Sequence, residues 1–168
     1  NHFADKEVFA REIGAAVRRQ AELAAVAANA GVTDPAMRVA RGLCVFVRFA
    51  IEHPDSAKVL WRLNSGATMA EAPINRNLRE DLSRGIRARH FGAVDLEAGL
   101  LLVMGSVIIA MRHVLEEHLR TPAPAVAGNM AAGMLRALGV RPADARRIAD
   151  QAAQEILGRK AALANVGR

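Results

Sequence analysis

The fold is decided by one stretch of the sequence, AGLLLVMGSVIIAM at residues 98–111. It holds no charged residue over 14 positions, and Ser106 is its only polar side chain. A helix of this length is about 21 Å long, which is too short to cross a bilayer. A helix without a polar face must be covered on every side. The stretch therefore predicts a core helix that the domain covers on one side and a further element on the other.

The sequence on either side of this stretch has helical periodicity, punctuated by Gly and Pro. Thr33-Asp34-Pro35 is typical of a helix start, Asp95 precedes the apolar stretch as a cap, and Gly31, Gly139 and Gly158 are typical of helix ends. No window alternates as a strand does. The pattern predicts an all-α domain of seven helices, with a loop at 65–73. The predicted helices are 5–29, 35–52, 55–63, 74–91, 96–118, 122–138 and 142–157.

The first predicted helix has apolar residues at helical spacing, which we interpret as its buried face. These residues are Phe9, Ile13, Ala16, Leu23 and Ala27, with Gln20 among them.

Composition excludes several classes of protein. Of 168 residues, 52% are apolar, so the chain is not a disordered polyelectrolyte. One cysteine, Cys44, excludes a disulfide framework, and its apolar neighbours predict a core thiol. Residues 1–12 alternate charged and apolar side chains, unlike a signal peptide. We expect a cytoplasmic protein with no membrane partner.

The excess of positive charge, 23 − 17 = +6, is spread along the chain. The strongest cluster lies at 74–91, where five Arg stand against Glu80 and Asp81. A nucleic-acid surface is one interpretation, but no aromatic side chain is interleaved for base stacking. We favour a solvated helix face.

The helix predicted at 122–138 is rich in Ala and Gly, which allow close helix approach. Together with the apolar stretch it predicts a four-helix interface in a homodimer. A monomer that buries both helices itself is the alternative. The residues predicted at the interface are Leu101, Val126, Met130, Gly133 and Met134.

The opening residues, NHFADKEVF at 1–9, resemble a motif of the TetR/AcrR family of transcriptional regulators. In that family a Tyr-x-His/Tyr-Phe-x-x-Lys-Glu-x-Leu pattern ends the DNA-binding domain and leads into a long linker helix. His2, Phe3, Lys6 and Glu7 match this pattern, whereas Phe9 stands where Leu is usual. The order of the predicted helices also resembles the family's regulatory domain.

The resemblance implies a ligand-responsive regulator, most simply a repressor, whose helix-turn-helix domain is missing from this sequence. Residues 1–4 would end the DNA-binding domain, 5–158 would bind effector and dimerise, and 159–168 would form a tail. His2 and Lys6 would contact DNA phosphate, with Asp5 as the N-cap of the linker helix. The alternative is that both cations are simply solvated. Operator DNA would bind through the missing domain.

The resemblance also implies a largely apolar pocket for a small-molecule effector, where the helices at 35–118 converge. Periodicity suggests Arg48, Asn64, Asn75 and His113 as its polar groups. An ordinary filled core is the alternative, and the chain would then be a dimerisation module without an effector. The predicted lining residues are Phe46, Phe49, Trp61, Met69, Leu82, Ile86, Met104, Ile108 and Met111, with Leu78 as a further candidate.

Motifs for catalysis or for a cofactor are not evident in the sequence. It has no phosphate-binding glycine loop and no His-Glu-x-x-His. His113 and Glu117 could hold a metal at i, i+4 spacing, but cations near a helix C-terminus also offset its dipole. We expect no enzyme activity, no cofactor and no metal.

Overall fold

The computed structural model describes residues 2–63, 75–116 and 121–164, without the side chains of 2–7, 61, 63 and 159–164. Within these ranges every element is helical and there is no β-strand, which confirms the all-α prediction. The helices are α1 (His2–Ala28), α2 (Pro35–Glu52), α3 (Pro54–Leu63), α4 (Arg76–Arg87), α5 (Leu96–Val114), α6 (Ala123–Ala137) and α7 (Pro142–Ala164).

Two of the predicted helix starts are confirmed in atomic detail. The Asp34 carboxylate accepts a hydrogen bond from the Ala36 N–H at 3.0 Å, with Pro35 in the first turn of α2. The Asp95 carboxylate accepts from the Ala98 N–H at 3.0 Å and begins α5. Each cap satisfies one of the N–H groups that a helix start leaves without a partner.

Four predicted boundaries are wrong. Helix α4 ends at Arg87 instead of Phe91, and α5 ends at Val114 instead of His118. Helix α1 already begins at His2, so Asp5 lies inside its first turns and is not the N-cap. Helix α7 continues through Gly158 to Ala164 instead of ending at Leu157. Residues 159–164, RKAALA, are all strong helix formers, which offsets the modest cost of one glycine.

The centre of the fold is α2, which packs against all six other helices. Leu43, Cys44 and Val47 have no exposed surface. The main core lies between α2, α4, α5, α6 and α7. A smaller core joins α1, α2, α3 and α5 around Phe49, Leu60 and Met111.

Helix α1 buries a different face from the one that its apolar spacing predicted. Phe9 is 65% exposed and Leu23 is 68% exposed, and Ile13 is also exposed. Instead, Val17 and Ala21 pack into the smaller core. Packing against α2 and α3 requires small side chains here, and this requirement overrides the spacing of the larger ones.

Helix α5 carries the apolar stretch and has 19 residues. At that length it is the one helix in the described ranges that is long and apolar enough to cross a membrane, although the 14-residue stretch alone is not. Core helices of soluble proteins can have the same length and apolar composition. Leu100, Val103 and Met104 of α5 are buried in the main core, which accounts for part of its apolar character.

The loops before α5 and after α6 meet at two glycines. The Gly92 N–H donates to the Leu138 carbonyl at 2.9 Å. Gly139 has φ +87°, and a Cβ there would lie 2.6 Å from the Gly92 nitrogen. Only glycine combines this backbone conformation with so close an approach.

We therefore expect Gly139→Ala to lower the free energy of unfolding by about 1–3 kcal/mol. Urea unfolding measures the change. Gly42→Ala is the matched control, because Gly42 lies inside α2 and a Cβ there meets nothing within 4 Å. The control should be neutral or stabilising by up to about 1 kcal/mol. Equal losses in both variants would contradict this explanation of Gly139.

A second prediction concerns Cys44. Its burial raises the pKa of the thiol to about 12, against a smaller opposing effect of Arg41. The thiol therefore remains protonated at pH 8, where an unfolded cysteine is partly ionised. We expect a thiol reagent at pH 8 to modify the folded chain at least about tenfold more slowly than the chain in urea. Equal rates would show that Cys44 is accessible.

Candidate functional site

A cavity of about 90 Å³ lies between α1, α2, α4 and α5. One water needs only about 10–15 Å³ measured in this way, so the space is sufficient for a small organic molecule. Its walls come from fourteen residues. They are Glu22, Ala25, Val26, Asn29, Arg38, Val39, Gly42, Leu43, Phe46, Asn77, Leu78, Asp81, Val103 and Val107.

Most of the wall is apolar, and each helix contributes to it. Val39, Leu43 and Phe46 come from α2, and Leu78 comes from α4. Val103 and Val107 lie one turn apart on α5 and therefore face the same way. Gly42 adds space, because a Cβ there would meet nothing within 4 Å.

The polar residues of the wall are Glu22, Asn29, Arg38, Asn77 and Asp81, and three of them, Asn29, Arg38 and Asp81, are linked by contacts through Arg38. The Arg38 Nε donates to Asp81 Oδ1 at 2.8 Å, and Arg84 also donates to that oxygen. Asp81 is buried, so its charge is balanced by these two arginines instead of by water.

Asn29 is 8% exposed, and only one of its two polar side-chain atoms has a hydrogen-bond partner. Its Nδ2 donates to the Arg38 carbonyl at 3.1 Å, whereas its Oδ1 accepts from no described group. Buried polar atoms in folded proteins are nearly always hydrogen-bonded, so this oxygen of a wall residue has the capacity to accept from a ligand or water.

Two arginines of α2 hold the C-terminal end of α1. The Arg38 Nη1 donates to the carbonyls of Asn29 at 3.1 Å and Val32 at 3.0 Å. Arg41 donates through Nε and Nη2 to the Ala28 carbonyl and pairs with Glu155 of α7. The last carbonyls of a helix lack intrahelical partners and carry partial negative charge, which explains this use of arginine. The end of α1 is thus joined to the cavity wall.

The structure brings one of the predicted lining residues, Phe46, to this cavity. Phe49 and Met111 lie in the smaller core, and Leu82 and Met104 lie in the main core. Leu78, the further candidate, also lines the cavity.

The other predicted pocket residues lie away from the cavity or outside the described residues. Ile86 packs partly against the main core, and Ile108 is half-buried on α5. Met69 and the side chain of Trp61 lie outside the described residues. Among the polar candidates, Arg48, Asn75 and His113 are not part of the wall, and Asn64 lies outside the described residues.

Sequence reasoning missed Asn29, Arg38 and Asp81. One signal was available, because Asp81 stands three residues after Leu78 and next to Leu82, on the inward face of its helix. A charged residue in that position requires a buried partner. Its partner Arg38 is 43 residues away, and periodicity gives no information about such pairs.

The residues predicted at a dimer interface fall on two sides of their helices. Leu101 is 53% exposed, Met130 is partly exposed and Gly133 is exposed. Val126 and Met134 are buried in the chain's own core, where they pack α6 against the rest of the domain.

The remaining predicted contacts concern phosphate and metal. His2 and Lys6 lie in the first turns of α1, but their side chains are outside the described part of the chain. His113 faces Glu116 at 4.0 Å, and Glu117 lies outside the described residues. Within the described residues no three metal-ligating side chains come together.

Comparisons with known proteins agree with this architecture. The family model described as the tetracyclin repressor-like C-terminal domain matches residues 34–151. Among solved structures, RolR in complex with resorcinol is similar, with 25% identity and a TM-score of 0.59 over 83% of this chain and 70% of that one. RolR without ligand gives 25% identity and a TM-score of 0.56 over 82% and 71%. No curated protein sequence matches.

The family model spans α2 to the middle of α7, which includes the central helix and most of the cavity wall. This match confirms the family that the sequence resembles, and the chain belongs to the TetR-like regulators, as their helical C-terminal domain.

Proposed function

We propose that this chain is the effector-binding and dimerisation domain of a transcriptional repressor, and that the cavity between α1, α2, α4 and α5 is the effector site. The observation that carries the proposal is the cavity itself, with its apolar wall and one polar end. Small-molecule sites usually combine these features, since apolar area provides affinity and a few polar groups provide orientation.

The similarity to RolR supports the choice of effector class. RolR has been solved with resorcinol, a benzene ring with two hydroxyl groups. A cavity of about 90 Å³ is sufficient for a ligand of that order of size.

The position of the cavity supports a mechanism through α1. The cavity touches α1 through Glu22, Ala25 and Val26, and Asn29, directly after the end of α1, is bound by Arg38 from the cavity wall. An effector that binds one position of α1 better than another shifts the population toward that position. In the regulator, α1 would transmit this shift to the DNA-binding domains and change their spacing on successive major grooves.

The same mechanism gives a role to the first turns of α1. His2 and Lys6 would contact DNA phosphates in the intact regulator, where contacts of this kind orient a protein on DNA without base specificity. A helix N-terminus favours phosphate through its unpaired N–H groups.

Exposed residues of α5 and α6 support a homodimer. Leu101 and Ile109 are 53% and 55% exposed on one face of α5. Gly105 lies between them, and Gly133 lies on the exposed side of α6. A Cβ added at either glycine would have no heavy atom within 4 Å. Glycine costs a helix about 1 kcal/mol against alanine, and the single chain gains nothing from it here. Close approach of a partner helix would account for both glycines.

The alternative is a dimerisation module without an effector. It would be favoured if the cavity served only as a packing defect at the Arg38–Asp81 pair. Ligand binding separates the two proposals.

The first test uses resorcinol and the melting temperature. At about ten times its Kd, a bound ligand adds roughly 1.4 kcal/mol, which corresponds to about 3–6 °C in a chain of this size. Gly42→Leu places a side chain in the cavity and improves helix propensity, so it should abolish the shift without loss of stability.

Gly42→Ala is the graded control and should reduce the shift to a smaller extent. An undiminished shift in Gly42→Leu would place resorcinol outside the cavity. If neither resorcinol nor other small aromatic compounds shift the wild-type chain, the proposal fails in favour of the dimerisation module.

The second test concerns the dimer. Leu101→Glu would bury a charge in the proposed interface but leave it in water in the monomer, so we expect light scattering to show one chain in place of two. Leu23→Glu is the matched control, since Leu23 is 68% exposed on α1 and should leave the mass unchanged. A Leu101→Glu chain of unchanged dimer mass would exclude this face as the interface.

A further inference from the structure

We propose that the ligand of this cavity is a small uncharged molecule with a hydroxyl group, and that Asn29 selects it by accepting its hydrogen bond. This inference rests on the proposed function and specifies the chemistry of the same site. The two observations behind it are the unpartnered Oδ1 of Asn29 and the charge of the cavity wall.

The direction of the hydrogen bond follows from how the Asn29 amide is held. Its Nδ2 donates to the Arg38 carbonyl at 3.1 Å. Rotating the amide by 180° would bring Oδ1 against that carbonyl, and two acceptors would then face each other. The free atom is therefore the oxygen, which can only accept. A ligand that satisfies it must bring an O–H or N–H donor.

The charges of the wall disfavour an anionic ligand. Glu22 and Asp81 contribute two negative charges, and Arg38 together with Arg84, which also pairs with Asp81, contributes two positive charges, so the site carries no net charge. The Arg38 guanidinium is already engaged by Asp81 and by the carbonyls of Asn29 and Val32. A carboxylate or phosphate entering here would lose its hydration in a partly dry environment without meeting an unengaged cation in the wall.

A cation is also disfavoured, for a different reason. Asp81 is the buried acidic group, and its Oδ1 is shared by Arg38 and Arg84. A ligand ammonium would have to compete with both arginines, whereas a neutral hydroxyl requires no displacement. The rest of the ligand would lie against Phe46, Leu78, Val103 and Val107, which offer no polar atom from their side chains.

Phenol and toluene are suitable probes, because they have nearly the same shape and differ in a hydroxyl against a methyl group. We expect phenol to bind the wild-type chain at least about tenfold more tightly than toluene in calorimetry. In Asn29→Leu, which keeps the size of the side chain, this preference should fall by about tenfold or more. The measurement is made at pH 7, where phenol is uncharged.

Asn77→Leu tests the second asparagine in the wall, which lies on α4. Asn129→Leu is the matched control, because Asn129 is an exposed asparagine of α6 that lies outside the wall. It should leave the preference for phenol intact. If Asn77→Leu abolishes the preference and Asn29→Leu does not, the assignment to Asn29 is overturned.

A structure of the wild-type chain with phenol tests the contact without any substitution, in case Asn29→Leu does not fold. We expect the phenol oxygen within about 3 Å of Asn29 Oδ1. A phenol oxygen directed elsewhere, or equal affinities for phenol and toluene, would overturn the inference while leaving the cavity as a ligand site. If neither probe binds in the cavity, the proposed function fails as well.

Discussion

The burial of α2 is the constraint on which the rest of this structure depends. Because α2 packs against all six other helices, a polar side chain on one of its buried faces must find its partner within the protein. Arg38 and Arg41 do so by binding the last carbonyls of α1 and the carboxylates of Asp81 and Glu155. These two arginines thus join the central helix to the end of α1, to Asp81 of α4 and to Glu155 of α7.

The same helix explains why a cavity exists in a packed domain. Gly42 leaves space beside Leu43 and Phe46, and the neighbouring Arg38–Asp81 pair holds its atoms in hydrogen-bonding geometry. Apolar side chains could close such a space by small shifts, whereas a buried ion pair with fixed partners resists them. The cavity is therefore maintained by the polar contacts at its end.

Periodicity and capping residues predicted the helices well, since both depend on neighbours in sequence. Asp34 and Asp95 form the predicted caps, and seven helices are found in the described ranges. The site was predicted less well. Periodicity indicates which side chains point inward but not whether they fill the space, so Leu82 and Met104 are core residues while Phe46 lines the cavity. The Arg38–Asp81 pair and the exposed Phe9 depend on contacts between helices, which local patterns do not contain.

Helix α5 connects the proposed site to the proposed interface. Val103 and Val107 face the cavity, and Leu101 and Ile109 are exposed on the opposite side of the same helix. A helix is stiff across its width, so a ligand that displaces the two valines must also move the exposed face. In the proposed twofold dimer that face would meet its own copy, and a shift in one subunit would be transmitted to the other. The exposed residues of α5 would then serve both to hold two chains together and to couple their responses to effector.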